Sequence, residues 1–203
     1  MASIYNLKPA FQALWRPLVG RLAATGITAN QVTVLAALLS IAVGAWLGIS
    51  HGSRAALFAV PAVLFVRMAL NAIDGMLARE HNQKSRLGAV LNEIGDVVSD
   101  AALYLPFALV AGFSTALIVA IVVLAAVGEM TGVVGVQIGA SRRYDGPMGK
   151  SDRAFVFGAL ALGIACGVPV GRWLAAVLGS VAALLLVTIV NRARRALAEE
   201  PQA

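Results

Sequence analysis

The chain has 203 residues, of which 60% are apolar and only 13% charged, against roughly half apolar and a quarter charged in a soluble domain. Its mean hydropathy of +0.84 excludes a soluble globular enzyme. The same numbers exclude intrinsic disorder, which needs low hydrophobicity and dense charge. The net charge of +6 then matters through its placement along a membrane chain.

At the start, Ile4, Leu7, Phe11, Leu14, Leu18 and Leu22 recur every three to four residues, with Lys8, Gln12 and Arg16 on the opposite face. That pattern predicts a helix lying flat at the cytoplasmic interface, with Trp15 as its anchor. No compact apolar core with a small-residue cleavage site precedes it, which argues against a removable secretory signal.

Long stretches without Asp, Glu, Lys or Arg follow, from Arg21 to Arg54, Asp100 to Glu129, Arg153 to Arg172 and Arg172 to Arg192. Each can hold a span of about 20 residues. Apolar runs read against polar punctuation give six spans, near 31–50, 55–73, 89–110, 115–138, 154–170 and 173–191. They are continuously apolar and do not alternate, so they predict helices and not barrel strands. The fold class expected is an all-α integral membrane protein, with an interfacial helix over 1–25, a six-helix domain over 26–195 and a cytoplasmic tail over 196–203. Gly44/Gly48, Gly128/Gly132, Gly135/Gly139 and Gly163/Gly167/Gly171 repeat at a spacing that lets helices approach closely. The lone Cys166 has no partner for a disulfide, and His51 and His81 read as solvated loop residues.

Lys8, Arg16, Arg21, Arg79, Lys84, Arg86, Arg142, Arg143, Lys150, Arg153, Arg192, Arg194 and Arg195 fall on one side of these spans, leaving Arg54 and Arg172 on the other. The positive-inside rule therefore places both termini, and the loops after the second and fourth spans, in the cytoplasm. The basic Arg192–Arg195 end suits anionic lipid head groups. Nothing in this arrangement calls for nucleic acid as a partner.

Arg67, Asn71 and Asp74 lie four and three residues apart near the cytoplasmic end of the second span, so they share a helix face. Gly88, Asn92, Asp96 and Asp100 then follow at strict four-residue spacing into the third. Polar groups at this depth are costly and mark a site or an ion-pair network. Their concentrated oxygens suit a hard divalent cation, and the neighbouring Arg79, Lys84 and Arg86 suit phosphate. The structural alternative is that Asp96 and Asp100 pair with Arg67 or Arg86 and only hold the bundle together.

The string Asp74-Gly75-Met76-Leu77-Ala78-Arg79, eight residues, Gly88, three residues, Asn92, three residues and Asp96 resembles the signature of the CDP-alcohol phosphatidyltransferases. That signature reads Asp-x-x-Asp-Gly-x-x-Ala-Arg, eight residues, Gly, three residues, Asp, three residues, Asp. The resemblance extends to Thr28-Ala29-Asn30-Gln31-Val32-Thr33 and to Gly149-Lys150. It implies a six-helix membrane enzyme, usually a homodimer, that uses magnesium or manganese to move a substituted phosphate from a CDP-linked donor to an alcohol with release of CMP. On this pattern Asn71, Asp74, Asn92 and Asp96 are the metal ligands, and Asp96 is also the catalytic base. Asp74, Gly75, Ala78, Arg79 and Gly88 line the nucleotide site, the small residues leaving room for it.

This sequence departs from the pattern at Asn71 and Asn92, where the family has Asp. An amide still ligates through its carbonyl oxygen, but the protein's formal charge at the metals falls from minus four to minus two. Three readings follow: an active enzyme with one metal or two weak ones, an active enzyme rescued by Glu93 or, better placed one turn beyond Asp96, by Asp100, and a non-catalytic lipid- or nucleotide-binding relative. Glu129, inside the fourth span, reads as a helix contact. In the second basic loop, Arg142, Arg143, Lys150 and Arg153 surround turn-forming Gly146 and Pro147, which favours an acceptor phosphate or other anionic head group there. The expected function is a cytoplasmic-membrane phospholipid-synthesising transferase, with CDP-diacylglycerol the favoured donor.

Overall fold

A computed structural model describes residues 8–199, which form seven α-helices and no strand. These are α1 (Lys8–Ala24), α2 (Ala29–Ile49), α3 (Arg54–Glu80), α4 (Arg86–Tyr104), α5 (Thr115–Gln137), α6 (Lys150–Ala165) and α7 (Arg172–Ala198); a 3-10 turn, Leu105–Leu109, extends α4. The starts are written in the sequence. Thr28 and Gln31 form a capping box on α2, while Ser53, Ser85 and Ser114 each accept a backbone N–H at the start of α3, α4 and α5, the usual answer to a helix's orphan donors.

All six spans expected from the sequence appear as helices, with shifted ends. Helix α3 continues seven residues beyond 73, because Asp74, Arg79 and Glu80 lower hydropathy without breaking the helix. Helix α6 begins four residues early, where Asp152 accepts from the Gly149 N–H. Four helices, α2, α3, α5 and α7, are long and apolar enough to cross a membrane by length and composition. Helix α4 carries Arg86, Glu93, Asp96 and Asp100, and α6 has only 16 residues.

Helix α2 packs against both α3 and α4, α3 against α6, and α5 against α7. The α2–α4 contact depends on Gly44, where a β-carbon would run into the Ala102 carbonyl. At the centre of the core Tyr104 stacks on Phe157 at 4.2 Å and Phe107 meets the same ring edge-on. Helix α1 lies on α3: Val19 is fully buried against Ile73, Met76 and Leu77 with Trp15 and Leu22 beside it, and Arg16 forks onto Glu80 at 3.0 and 3.1 Å. Leu14 and Leu18 remain exposed on the outer face. Trp15 is thus drawn into packing with α3, and Ile4 and Leu7 lie outside the described residues.

Candidate active site

The signature residues occupy the last turns of α3 and the first turns of α4, joined by the five-residue connection 81–85. This connection is pinned to the start of α2 by Gln83, whose amide oxygen accepts from the Ala29 N–H at 2.7 Å and whose NH2 donates to the Ile27 carbonyl at 3.3 Å. A β-carbon at Gly88 would lie 2.7 Å from Asn30 Oδ1, so a side chain there would push the Asn30 amide aside. On α3, a β-carbon at Gly75 would stand 2.9 Å from the Arg79 guanidinium. Arg79 therefore lies along the bare helix surface at Gly75, one turn back, with Ala78 half-buried beside it. Gln83 escapes sequence reasoning because a single Gln in a polar connection carries no periodic or spacing signal.

Asp74 is 5% exposed and accepts from the Thr33 hydroxyl at 2.7 Å. It lies within electrostatic reach of Lys150 and Asp96. Asp96, on the facing helix, is more open: one carboxylate oxygen is paired with the Lys150 ammonium, and Arg67 stands 3.6 Å from it. Asn71 is half-buried between Arg67 and Asp74 on α3, and Asn92 is exposed one turn before Asp96. Two carboxylates from two helices thus share a site with a lysine from the start of α6.

Asp100 is committed elsewhere. Its Oδ1 accepts from Arg67 at 2.5 Å and its Oδ2 from Arg153 at 2.7 Å, and all three side chains are nearly excluded from solvent. Arg153 also reaches Glu129 at 3.1 Å, and Glu129 in turn meets Arg142 at 3.1 Å and Arg192 at 3.3 Å. Glu93 forks onto Arg142 at 2.9 and 2.8 Å. Both residues weighed as rescuers are therefore engaged in ion pairs, and Glu129 is the hub of a network joining α4, α5, α6 and α7.

The second basic loop is neutralised in the same way. Burial works against the charge of Arg142, but its bonds to Glu93 and Glu129 hold the guanidinium above its ordinary range. Arg143 lies between Asp145 at 2.7 Å and Glu199 at 2.5 Å. Glu199 also accepts from the Ser141 N–H and hydroxyl at 3.0 and 2.9 Å; these bonds and Arg143 keep its carboxyl below the usual carboxylate range. The residue that closes α7 therefore ties down the loop leading to Lys150.

Among the described residues no three His, Cys, Asp or Glu side chains gather where they could hold a metal ion; the signature positions hold two carboxylates, Asp74 and Asp96, and two amides, Asn71 and Asn92. The remaining donors, two carboxylates and two amide carbonyls, are all hard oxygens and suit magnesium or manganese in kind. Their charge is low, and Lys150 already offsets part of it at Asp96.

A family model described as CDP-alcohol phosphatidyltransferase matches residues 26–190. The chain belongs to the CDP-alcohol phosphatidyltransferase family. It is 43% identical to the inner membrane protein YnbA of Escherichia coli over 96% of both chains, and together with the four apolar helices this makes it a multi-pass membrane protein. It is 33% identical to phosphatidylinositol phosphate synthase of Mycobacterium tuberculosis over 97 residues, 48% of this chain and 43% of that enzyme. The crystal structure of the latter with CDP-DAG bound shares the fold at a TM-score of 0.74 and 23% identity, covering 92% of this chain and 97% of that one. Its complex with manganese and citrate matches at the same TM-score over 92% of both chains. The signature positions, residues 71–96, therefore lie within the part of the chain that matches the phosphatidyltransferase family.

Proposed function

We propose that this chain transfers the lipid-bearing phosphate of a CDP-linked donor to the hydroxyl of an alcohol and releases CMP, with CDP-diacylglycerol as the favoured donor. The observation that carries this reading is that Asp74 and Asp96, from two helices, lie within electrostatic reach of each other and of Lys150, with the exposed Arg79 on the same end of α3 as Asp74. The bound CDP-DAG of the structural relative supports the donor.

In the reaction the acceptor oxygen bonds to the lipid-side phosphorus, the bond from that phosphorus to the oxygen of CMP breaks, and the acceptor's proton passes to a base. Asp96 is that base: Lys150 engages one carboxylate oxygen and leaves the other to take the proton. Lys150 and Arg67 also orient the carboxylate. Arg79, with forked donors and an exposed head, holds the phosphates of the nucleotide. Asp74 and Asp96, with the carbonyl oxygens of Asn71 and Asn92, would hold magnesium or manganese. Such an ion, when bound there, would offset the negative charge that develops on the phosphates.

The low charge of this donor set favours one ion over two. Six helices, α2 to α7, span the membrane as a homodimer, with both termini and the site facing the cytoplasm, as the thirteen clustered Lys and Arg residues indicate. Glu93, Asp96 and Asp100 of α4 are each ion-paired, which makes an ionic helix tolerable there. The two amides also favour a second reading, a binding protein that keeps the fold without the chemistry. Incubating the detergent-solubilised protein with CDP-diacylglycerol and a panel of alcohols separates the two. Transfer predicts CMP release that needs a divalent ion and stops with EDTA, whereas binding without CMP release in any combination supports the second reading.

A further inference from the structure

The cations of this site divide into two groups that differ in what they touch. Arg79, Lys84 and Arg86, at the end of α3 and the start of α4, are exposed and make no ion pair among the described residues. On the other side of Asp96 every cation expected to receive an anionic acceptor is already matched. Arg142 is forked onto Glu93 and bound to Glu129, Arg143 lies between Asp145 and Glu199, Arg153 joins Asp100 to Glu129, and Lys150 pairs with Asp96. Those four cations engage six carboxylates, of which Glu129 serves both Arg142 and Arg153.

A phosphate monoester needs donors free to fork onto its oxygens. Entering here, it would have to displace a carboxylate from a guanidinium. The displaced carboxylate would remain in a partly buried place without its partner, the arrangement most costly for a buried ion pair. Arg153 is 1% exposed and offers no face to a ligand at all. The face of Arg142 is also taken, since Tyr144 stacks on it at 4.7 Å.

We infer that the acceptor carries no phosphate: it is a neutral polyol or a zwitterionic alcohol, whose hydroxyl is received between Asp96 and Lys150. Phosphate recognition is confined to the donor side, at Arg79, Lys84 and Arg86. This departs from the anionic acceptor that the basic loop suggests in the sequence, and it rests on the proposal that the site is a transferase.

The test pairs acceptors that differ only in phosphate: glycerol against glycerol 3-phosphate, and inositol against inositol phosphate, each with CDP-diacylglycerol and magnesium. The unphosphorylated member of each pair is expected to give at least tenfold higher kcat/KM, read as CMP release. Glu93→Gln, which releases Arg142 from its forked partner and leaves it Glu129 alone, is expected to raise kcat/KM for the phosphorylated member several-fold while the KM for CDP-diacylglycerol stays the same. A wild-type preference for the phosphorylated acceptors would overturn the inference and leave the transferase reading standing. If no acceptor supports CMP release, the transferase reading fails and a calorimetric titration with inorganic phosphate still decides the charge argument. Saturable binding to the wild type that Arg142→Ala or Lys150→Ala abolishes would overturn it. Binding that appears only in Glu93→Gln would uphold the charge argument.

Discussion

Asp100→Asn separates a structural ion pair from a metal ligand. The carboxylate sits between two guanidiniums, at 2.5 Å from Arg67 and 2.7 Å from Arg153, with side-chain exposures of 4, 7 and 2% for Arg67, Asp100 and Arg153. The amide keeps the shape and removes the charge, leaving two buried cations around a neutral group. Removing one partner of a buried pair costs about 3–5 kcal/mol. Arg153 retains Glu129 at 3.1 Å, and Arg67 retains Asp96 at 3.6 Å, which places the loss near the lower end. At about 2–4 °C per kcal/mol for a chain of this size, the expected fall in Tm is about 6–12 °C. Thermal unfolding in detergent, followed with EDTA and again with magnesium, measures it. The fall should be equal in both conditions. A Tm within about 2 °C of the wild type, or a fall that appears only with magnesium, would refute the assignment of Asp100 to the bundle and return it to the metal site.

Asp96→Asn should lower CMP release by about 10²–10⁴-fold, the usual worth of a positioned base. Because Asp96 and Lys150 are both partly exposed, Tm should move little, by the about 0–1 kcal/mol of such a pair; an active variant or an unfolded one would contradict this. Asn71→Asp combined with Asn92→Asp should lower the magnesium concentration for half-maximal activity by about tenfold or more, because each added carboxylate attracts the ion in a partly dehydrated site. An unchanged or weaker dependence, read by calorimetry and by CMP release, would mean that the site is built around fewer ligands. Gly44→Leu should yield no folded protein, since its β-carbon meets the Ala102 backbone. At Gly20, by contrast, nothing lies within 4 Å of a β-carbon, and Gly20→Ala should leave Tm unchanged or raise it; size-exclusion profiles and Tm of the two proteins check the contrast.

Much of the architecture can be read from the chain because hydropathy and caps act locally. Thr28, Ser53, Ser85 and Ser114 each start a helix by accepting a backbone N–H three residues on. The meeting of Asp74 and Asp96 is legible for a different reason: a four-residue spacing fixes a helix face, and the long signature supplies the partner helix. What escapes the sequence is pairing across distance. Arg142 and Glu93 are 49 positions apart, and Arg153 and Asp100 are 53, so a cluster that reads as a basic loop is electrically matched once folded. Asp100 shows the same limit, since its position one turn beyond Asp96 fits a metal ligand and an ion pair equally well. Only the arrival of α3 and α6 on either side distinguishes them. The end of α3 is misjudged by a hydropathy reading because Asp74, Arg79 and Glu80 are polar while remaining compatible with a helix.

The most direct test of the central claim follows an oxygen atom. With glycerol labelled by oxygen-18 at its hydroxyls, CDP-diacylglycerol and magnesium, mass spectrometry of the products reports which phosphorus was attacked and which bond was broken. Attack by the acceptor on the lipid-side phosphorus predicts a new phospholipid that keeps the label in its phosphate ester, in equal amount to unlabelled CMP, with both products lost in Asp96→Asn. Label recovered in a glycerol ester of CMP, with phosphatidate as the other product, or no phospholipid formed while the donor remains bound, would contradict it.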